Sequence, residues 1–180
     1  IIAEMAYALA RALNIHGSEL EEIRMVAYLH KIGLMDIPND VLQKKKELTQ
    51  KELELIRNHP TIARNQLNKA ELLKPIAEII YYQNERWDGS GPSEGLEGEE
   101  IPIGSRIISV INVWNALQHS RPYRDAWGKE EIGNYFHEQS GKQFDPRVIE
   151  AFFTLLHKDE PPSYLEAIEA KDNSLDGKNA

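Results

Sequence analysis

A chain of 180 residues, 41% apolar and 28% charged, is long enough for one domain with an ordinary buried core. Its formal net charge of −8 disfavours nucleic acid and anionic membrane surfaces as partners unless a local basic patch intervenes. The absence of cysteine excludes disulfides and thiolate metal sites, and no apolar run approaches the roughly 18 residues that a membrane span requires.

With no signal-peptide pattern, the expected compartment is the cytoplasm. The chain opens without Met inside an amphipathic run, Ile1-Ile2-Ala3-Glu4-Met5, and so reads as a piece of a longer protein whose upstream part holds a regulatory input.

Ile2, Met5, Leu9, Ala12 and Leu13 form one helical stripe, broken from Asn14 to Gly17. Ser18 and Glu21 have the spacing of a capping box for the next helix, on which Ile23, Val26, Ala27 and His30 share a face. His30 is therefore expected in the interior. Gly33 to Lys46 reads as an irregular connection, its Lys44-Lys45-Lys46 run a solvated loop. Thr49 and Glu52 form a second capping box, and that helix should end at Asn58, because the residue before Pro60 is pushed away from helical dihedrals. Pro60 and Pro75 each suit the first turn of a new helix. The second of these aligns Ile76, Ile79, Ile80 and Gln83.

Asp88 to Gly98 carries four glycines and a proline, which predicts a long shaped loop. Ile103 to Gln118 resumes helical periodicity on Ile107, Val110, Ile111, Trp114 and Leu117. Helices over about 129–139 and 146–157 follow, the second begun by Asp145 as cap and Pro146 as first residue. Beyond Asp159 the chain is polar and acidic, a frayed tail with a short helix around Tyr164 to Ala170. No segment alternates with period two. The expected fold is all-α, a single domain of about seven helices over residues 1–157, with 158–180 as a tail.

Several blocks, in this order and spacing, resemble one known family. They are Leu29-His30-Lys31-Ile32-Gly33 through Ile37-Pro38; His59-Pro60; Glu85-Arg86-Trp87-Asp88-Gly89-Ser90-Gly91; Gly95-Leu96-Glu97-Gly98-Glu99-Glu100-Ile101-Pro102; Asn115-Ala116-Leu117 with Arg121-Pro122-Tyr123-Arg124; and Gln143-Phe144-Asp145-Pro146. The chain resembles the HD-GYP domains of the HD superfamily over nearly its whole length. The resemblance implies a helical fold and a metal-dependent hydrolase that opens cyclic di-GMP, with iron or manganese activating a water.

Matched to the family's motif, His30 and His59 stand as histidines, while Lys31 takes the place of the paired aspartate. Leu34 replaces a lysine, Gln83 and Asn84 replace two successive histidines, and Asn112 and Asn115 replace acids. The Gly-Tyr-Pro triplet is Gly91-Pro92-Ser93. Two imidazoles and neutral amides are too few to hold a divalent pair, and a protonated lysine has no lone pair to offer. The reading is therefore of remnant ligands His30 and His59, no metal cofactor, and no enzyme. Lys31 has two readings. Its head either fills the metal's place, hydrogen-bonded by Gln83, Asn84 and Asn112, or reaches solvent over a packed stem.

Trp87, Asp88 and Glu85 are expected to brace the glycine-rich loop. Arg121 and Arg124 read first as a helix-terminating turn and secondly, with Lys31, as phosphate contacts. Three functions follow from these residues. The first is a regulatory or protein-interaction output domain, whose partner, as the family resemblance implies, is a diguanylate cyclase or an upstream receiver domain. The second is a sensor that binds cyclic di-GMP or another nucleotide, and the third a residual metal-dependent phosphodiesterase.

Overall fold

In a computed structural model the structure describes residues 2–44, 46–120 and 125–157. The Arg121–Arg124 motif and the expected tail helix lie outside the described residues. The described residues form helices joined by loops, without a strand: α1 (Ile2–Ala12), α2 (Gly17–Leu29), α3 (Asn39–Leu42), α4 (Gln50–Arg57), α5 (His59–Leu67), α6 (Lys74–Tyr81), α7 (Ile103–Leu117), α8 (Lys129–Gln139) and α9 (Pro146–Leu156). Three short 3₁₀ turns punctuate them at Ile32–Asp36, Glu71–Leu73 and Gly98–Glu100. The all-α expectation holds. Nine helices are described against about seven expected: the helical segments named from the sequence account for eight of them, and Asn39–Leu42 adds one turn inside the segment expected to be irregular.

One continuous core joins α1, α2, α6 and α7, with the aromatic cluster Phe136, Phe144 and Phe152 closing it from α8, the connection after it and α9. Leu9, Ile23, Ile80, Ile107 and Ile111 are fully buried, as their helical spacing requires. No described helix is long and apolar enough to cross a membrane.

Local signals set most boundaries. Asp145 caps α9 by accepting from the Arg147 amide at 2.9 Å, with Pro146 in the first turn. α4 stops at Arg57 and α5 begins at His59 with its proline in the first turn. The Ser18 capping box is not formed. Gly17, at φ +66°, admits the chain to α2 one residue earlier, so Ser18 lies inside the first turn and Glu21 pairs with Arg24 at 2.7 Å.

The Thr49 box is complete: the Thr49 amide donates to Glu52 Oε2 at 2.7 Å, and the Glu52 amide donates back to Thr49 Oγ1 at 3.4 Å. Lys44 adds Nζ donors to both Glu52 oxygens at 2.6 and 2.8 Å. These bonds, Lys44's first and Thr49's after, hold the Glu52 carboxyl at about 2, against an ordinary 4.5. A depressed carboxyl contributes stability above its unfolded value and loses it as pH falls through the folded one. The stability difference between wild type and Glu52→Gln should therefore be constant above pH 4.5 and vanish as pH falls toward about 2. Urea melts of both proteins across that range check this; a difference that persists at the acid end would refute it.

Candidate functional site

The expected site residues come from four elements. His30 caps α2 at its C-terminus, His59 opens α5, Gln83 follows α6, and Asn112 sits on the third turn of α7. His30 and Gln83 are buried at 5% and 3% exposure. His59 and Asn112 are partly buried.

The two histidines are held by the same local device. His30 Nδ1 donates to the Ala27 carbonyl at 2.8 Å, and His59 Nδ1 donates to the Ile56 carbonyl at 2.8 Å, each three residues upstream. A carbonyl can only accept, so both neutral rings carry the proton on Nδ1 and present Nε2 as a lone pair. Burial lowers the basicity of both rings, and the Lys31 charge lowers it further. His30 also feels the charge of His59, which places the two rings in one neighbourhood.

Gln83 ties the neighbourhood together. Its Nε2 donates to the His30 carbonyl at 3.2 Å, and its Oε1 accepts from Asn112 Nδ2 at 3.4 Å. That leaves His30 Nε2 and Asn112 Oδ1 as buried acceptors with no protein donor. They complement each other once the imidazole is protonated, when Nε2 becomes a donor to the Asn112 side chain. In the neutral form both are acceptors, which only a donor or a cation could satisfy.

Lys31 does not supply that group. It is exposed and makes no hydrogen bond or ion pair among the described residues. The reason is angular: it is the N-cap of the 3₁₀ turn that follows α2, one residue past the last inward position. Asn84 is exposed as well, leaving Gln83 and Asn112 bonded to each other rather than to an ammonium.

The fit to a paired divalent centre is poor. Both imidazoles are oriented through backbone carbonyls in the way metal-bound histidines usually are. Yet no group of three or more His, Asp or Glu side chains is placed to hold a metal among the described residues. Two imidazoles and two amides fall short of the carboxylate-rich set such a centre takes.

The glycine-rich loop is braced as expected, and in more detail. Glu85 Oε1 accepts from the Glu94 amide at 2.6 Å and from the Gly95 amide at 3.2 Å. A Cβ on Gly91 would overlap Glu85 Oε2 and approach the Arg86 amide nitrogen to 2.8 Å, so only glycine lets the loop pass there. Asp88 accepts from the Ser90 amide at 3.0 Å. Sequence reasoning missed the anchor beneath the loop. Arg106 on α7 pairs with Asp145 at 2.7 Å, with its guanidinium 5.7 Å from the centre of the Trp87 ring. A polar residue in the stripe Ile103-Gly104-Ser105-Arg106-Ile107 was the available signal.

Comparison with known proteins gives this geometry a context. Residues 1–148 match the HD domain family. The chain is 36% identical over 152 residues to the cyclic di-GMP phosphodiesterase response regulator RpfG of Xanthomonas campestris, covering 83% of this chain and 40% of that protein. It is 33% identical over 154 residues to 3'3'-cGAMP-specific phosphodiesterase 2 of Vibrio cholerae, covering 84% of this chain and 29% of the relative. The chain thus spans less than half the length of these curated relatives. An HDG"Y"P protein from Bdellovibrio bacteriovorus has the same fold, with a TM-score of 0.65 at 19% identity, over 86% of this chain and 50% of that one.

These findings correct two expectations. The expectation of no enzyme gives way, because the relatives are named phosphodiesterases and place the chain in an enzyme family. The expectation of no metal cofactor gives way with it: it rested on counting donors, whereas the family is one whose phosphodiesterases work with metal ions. The chain belongs to the HD domain family, among relatives named as cyclic di-GMP phosphodiesterases.

Proposed function

We propose that this chain is the cyclic-dinucleotide-recognising domain of a regulatory protein in cyclic di-GMP signalling. Its ligand sits at the end of the helical bundle where His30 and His59 meet. One observation carries the reading: two imidazoles from different helices are locked by backbone carbonyls in the same tautomer, with the uncompensated charge of Lys31 beside both. A phosphodiester bears negative charge and acceptor oxygens, which an ammonium in reach of the site complements. The names of the relatives, which cover cyclic di-GMP and 3'3'-cGAMP, support a cyclic dinucleotide as the ligand class.

Arg121 and Arg124 join Lys31 as phosphate contacts in this reading, and residues 1–157 form the domain. The response-regulator name of the Xanthomonas relative supports an output role downstream of a receiver domain. A diguanylate cyclase is the partner class that this signalling chemistry suggests.

A second reading, residual phosphodiesterase action, is favoured by the buried lone pair on His30 Nε2, which is placed to take a proton. Calorimetric titration with cyclic di-GMP tests the first reading. Micromolar binding is expected, weakened about tenfold in Lys31→Ala by loss of one charge-assisted contact. No heat on titration overturns it. Incubating the same samples with manganese or iron and separating the nucleotides tests the second: linear dinucleotide formed by wild type and lost in His30→Ala supports it, and intact ligand refutes it.

A further inference from the structure

We propose that the groove between α4 and the tip of the glycine-rich loop seats one nucleotide half of the cyclic dinucleotide, with Lys51 and Arg57 as its phosphate contacts. This rests on the function proposed above and extends the site beyond His30 and His59. The groove has a volume of about 550 Å³ and is lined by Lys51, Glu54, Leu55, Arg57, Asn58 and Pro92. The groove is shallow and open to solvent, so it would hold a ligand along one face only.

α4 contributes no buried residue to the core, and its start is set by the Thr49 capping box and the Lys44–Glu52 pair. A helix that buries nothing gains little from packing, so its use lies in the surface it presents. Lys51, Glu54, Leu55 and Asn58 follow helical spacing along one face, and that face is the one lining the groove.

The groove lining holds two cations, Lys51 and Arg57, against one carboxylate, Glu54, whose Oε1 accepts from the neutral Gln50 Nε2 at 2.9 Å. Lys51 and Arg57 make no ion pair among the described residues. In a chain of net charge −8 this lining is net positive, a local reversal of sign suited to an anion. Leu55, 36% exposed, and Pro92 supply apolar surface for a purine face.

Arg57 and Asn58 immediately precede His59, which ties the α4 side of the groove by the backbone to the residue that opens α5. A ligand with two phosphates and two bases can then reach from the His30–His59 end onto α4.

Titration of cyclic di-GMP into wild type, Lys51→Ala, Arg57→Ala and the double variant tests this. Both side chains are exposed, and thermal melts confirm that the variants fold. Weakening of about tenfold for each cation removed is expected, as befits charge-assisted contacts, with a shallower salt dependence in the double variant. Wild-type binding that the double variant matches overturns the groove assignment and leaves the proposed function standing. Absence of binding to wild type overturns both.

Discussion

Replacing Asp145 with alanine is expected to destabilise the protein by about 3–5 kcal/mol, because it strands a charge in the interior. The Asp145 side chain is 1% exposed and its partner Arg106 only 10%. Their contact at 2.7 Å joins α7 to the start of α9, and Arg106 carries the Trp87 ring of the glycine-rich loop on its other side. Removing the carboxylate also removes the cap on α9, worth about 1 kcal/mol. Asp145→Asn separates the two contributions, since asparagine caps as well as aspartate does. It should recover the capping share and leave the rest of the loss. Urea unfolding of the three proteins measures this, with a melting point lower by roughly 2–4 °C per kcal/mol. A loss below about 1 kcal/mol in the alanine variant would mean that the pair is no more than an exposed ion pair in effect.

Gly33→Ala should lower stability by about 2–3 kcal/mol through overpacking, and should disturb the site as well. A Cβ at this position would overlap the His59 carbonyl oxygen and lie 2.9 Å from the Ala63 amide nitrogen. Both are backbone atoms of α5, so no side chain can swing aside to make room. The 3₁₀ turn after His30 and the first turn of α5 must then separate, which moves His59 away from His30. The test is paired: a melt for stability, and ring-proton shifts of both histidines by NMR for the site. A variant with wild-type melting and unchanged histidine signals would show that the close approach is not needed.

Features decided within four residues were legible. The Thr49–Glu52 box, the Asp145-Pro146 start and the break before Pro60 all formed as their spacing predicts, because each is complete within one helical turn. The Ser18 box failed for an equally local reason, since Gly17 could take a left-handed dihedral and start the helix early. Periodicity also placed His30, Ile80 and Gln83 in the interior.

What α2, α6 and α7 present to one another was not legible. The bond from Asn112 to Gln83 spans 29 residues, and that from Arg106 to Asp145 spans 39. Periodicity identifies which face of a helix is buried, but not the rotation and offset at which two buried faces meet.

The amino-acid sequence by itself determined that this chain is all-α, that His30 points inward, and that it carries the ordered motifs of the HD domain family. The tertiary structure alone decided that Lys31 turns to solvent while Gln83 and Asn112 bond across the site. It alone gave Gly33 its constraint and left α4 free to line a groove. The physical reason is one of range. Capping, turn chemistry and helical period act over a few residues, whereas the direction of a side chain past a helix end, and the partner it meets, depend on how the packed core orients separate helices.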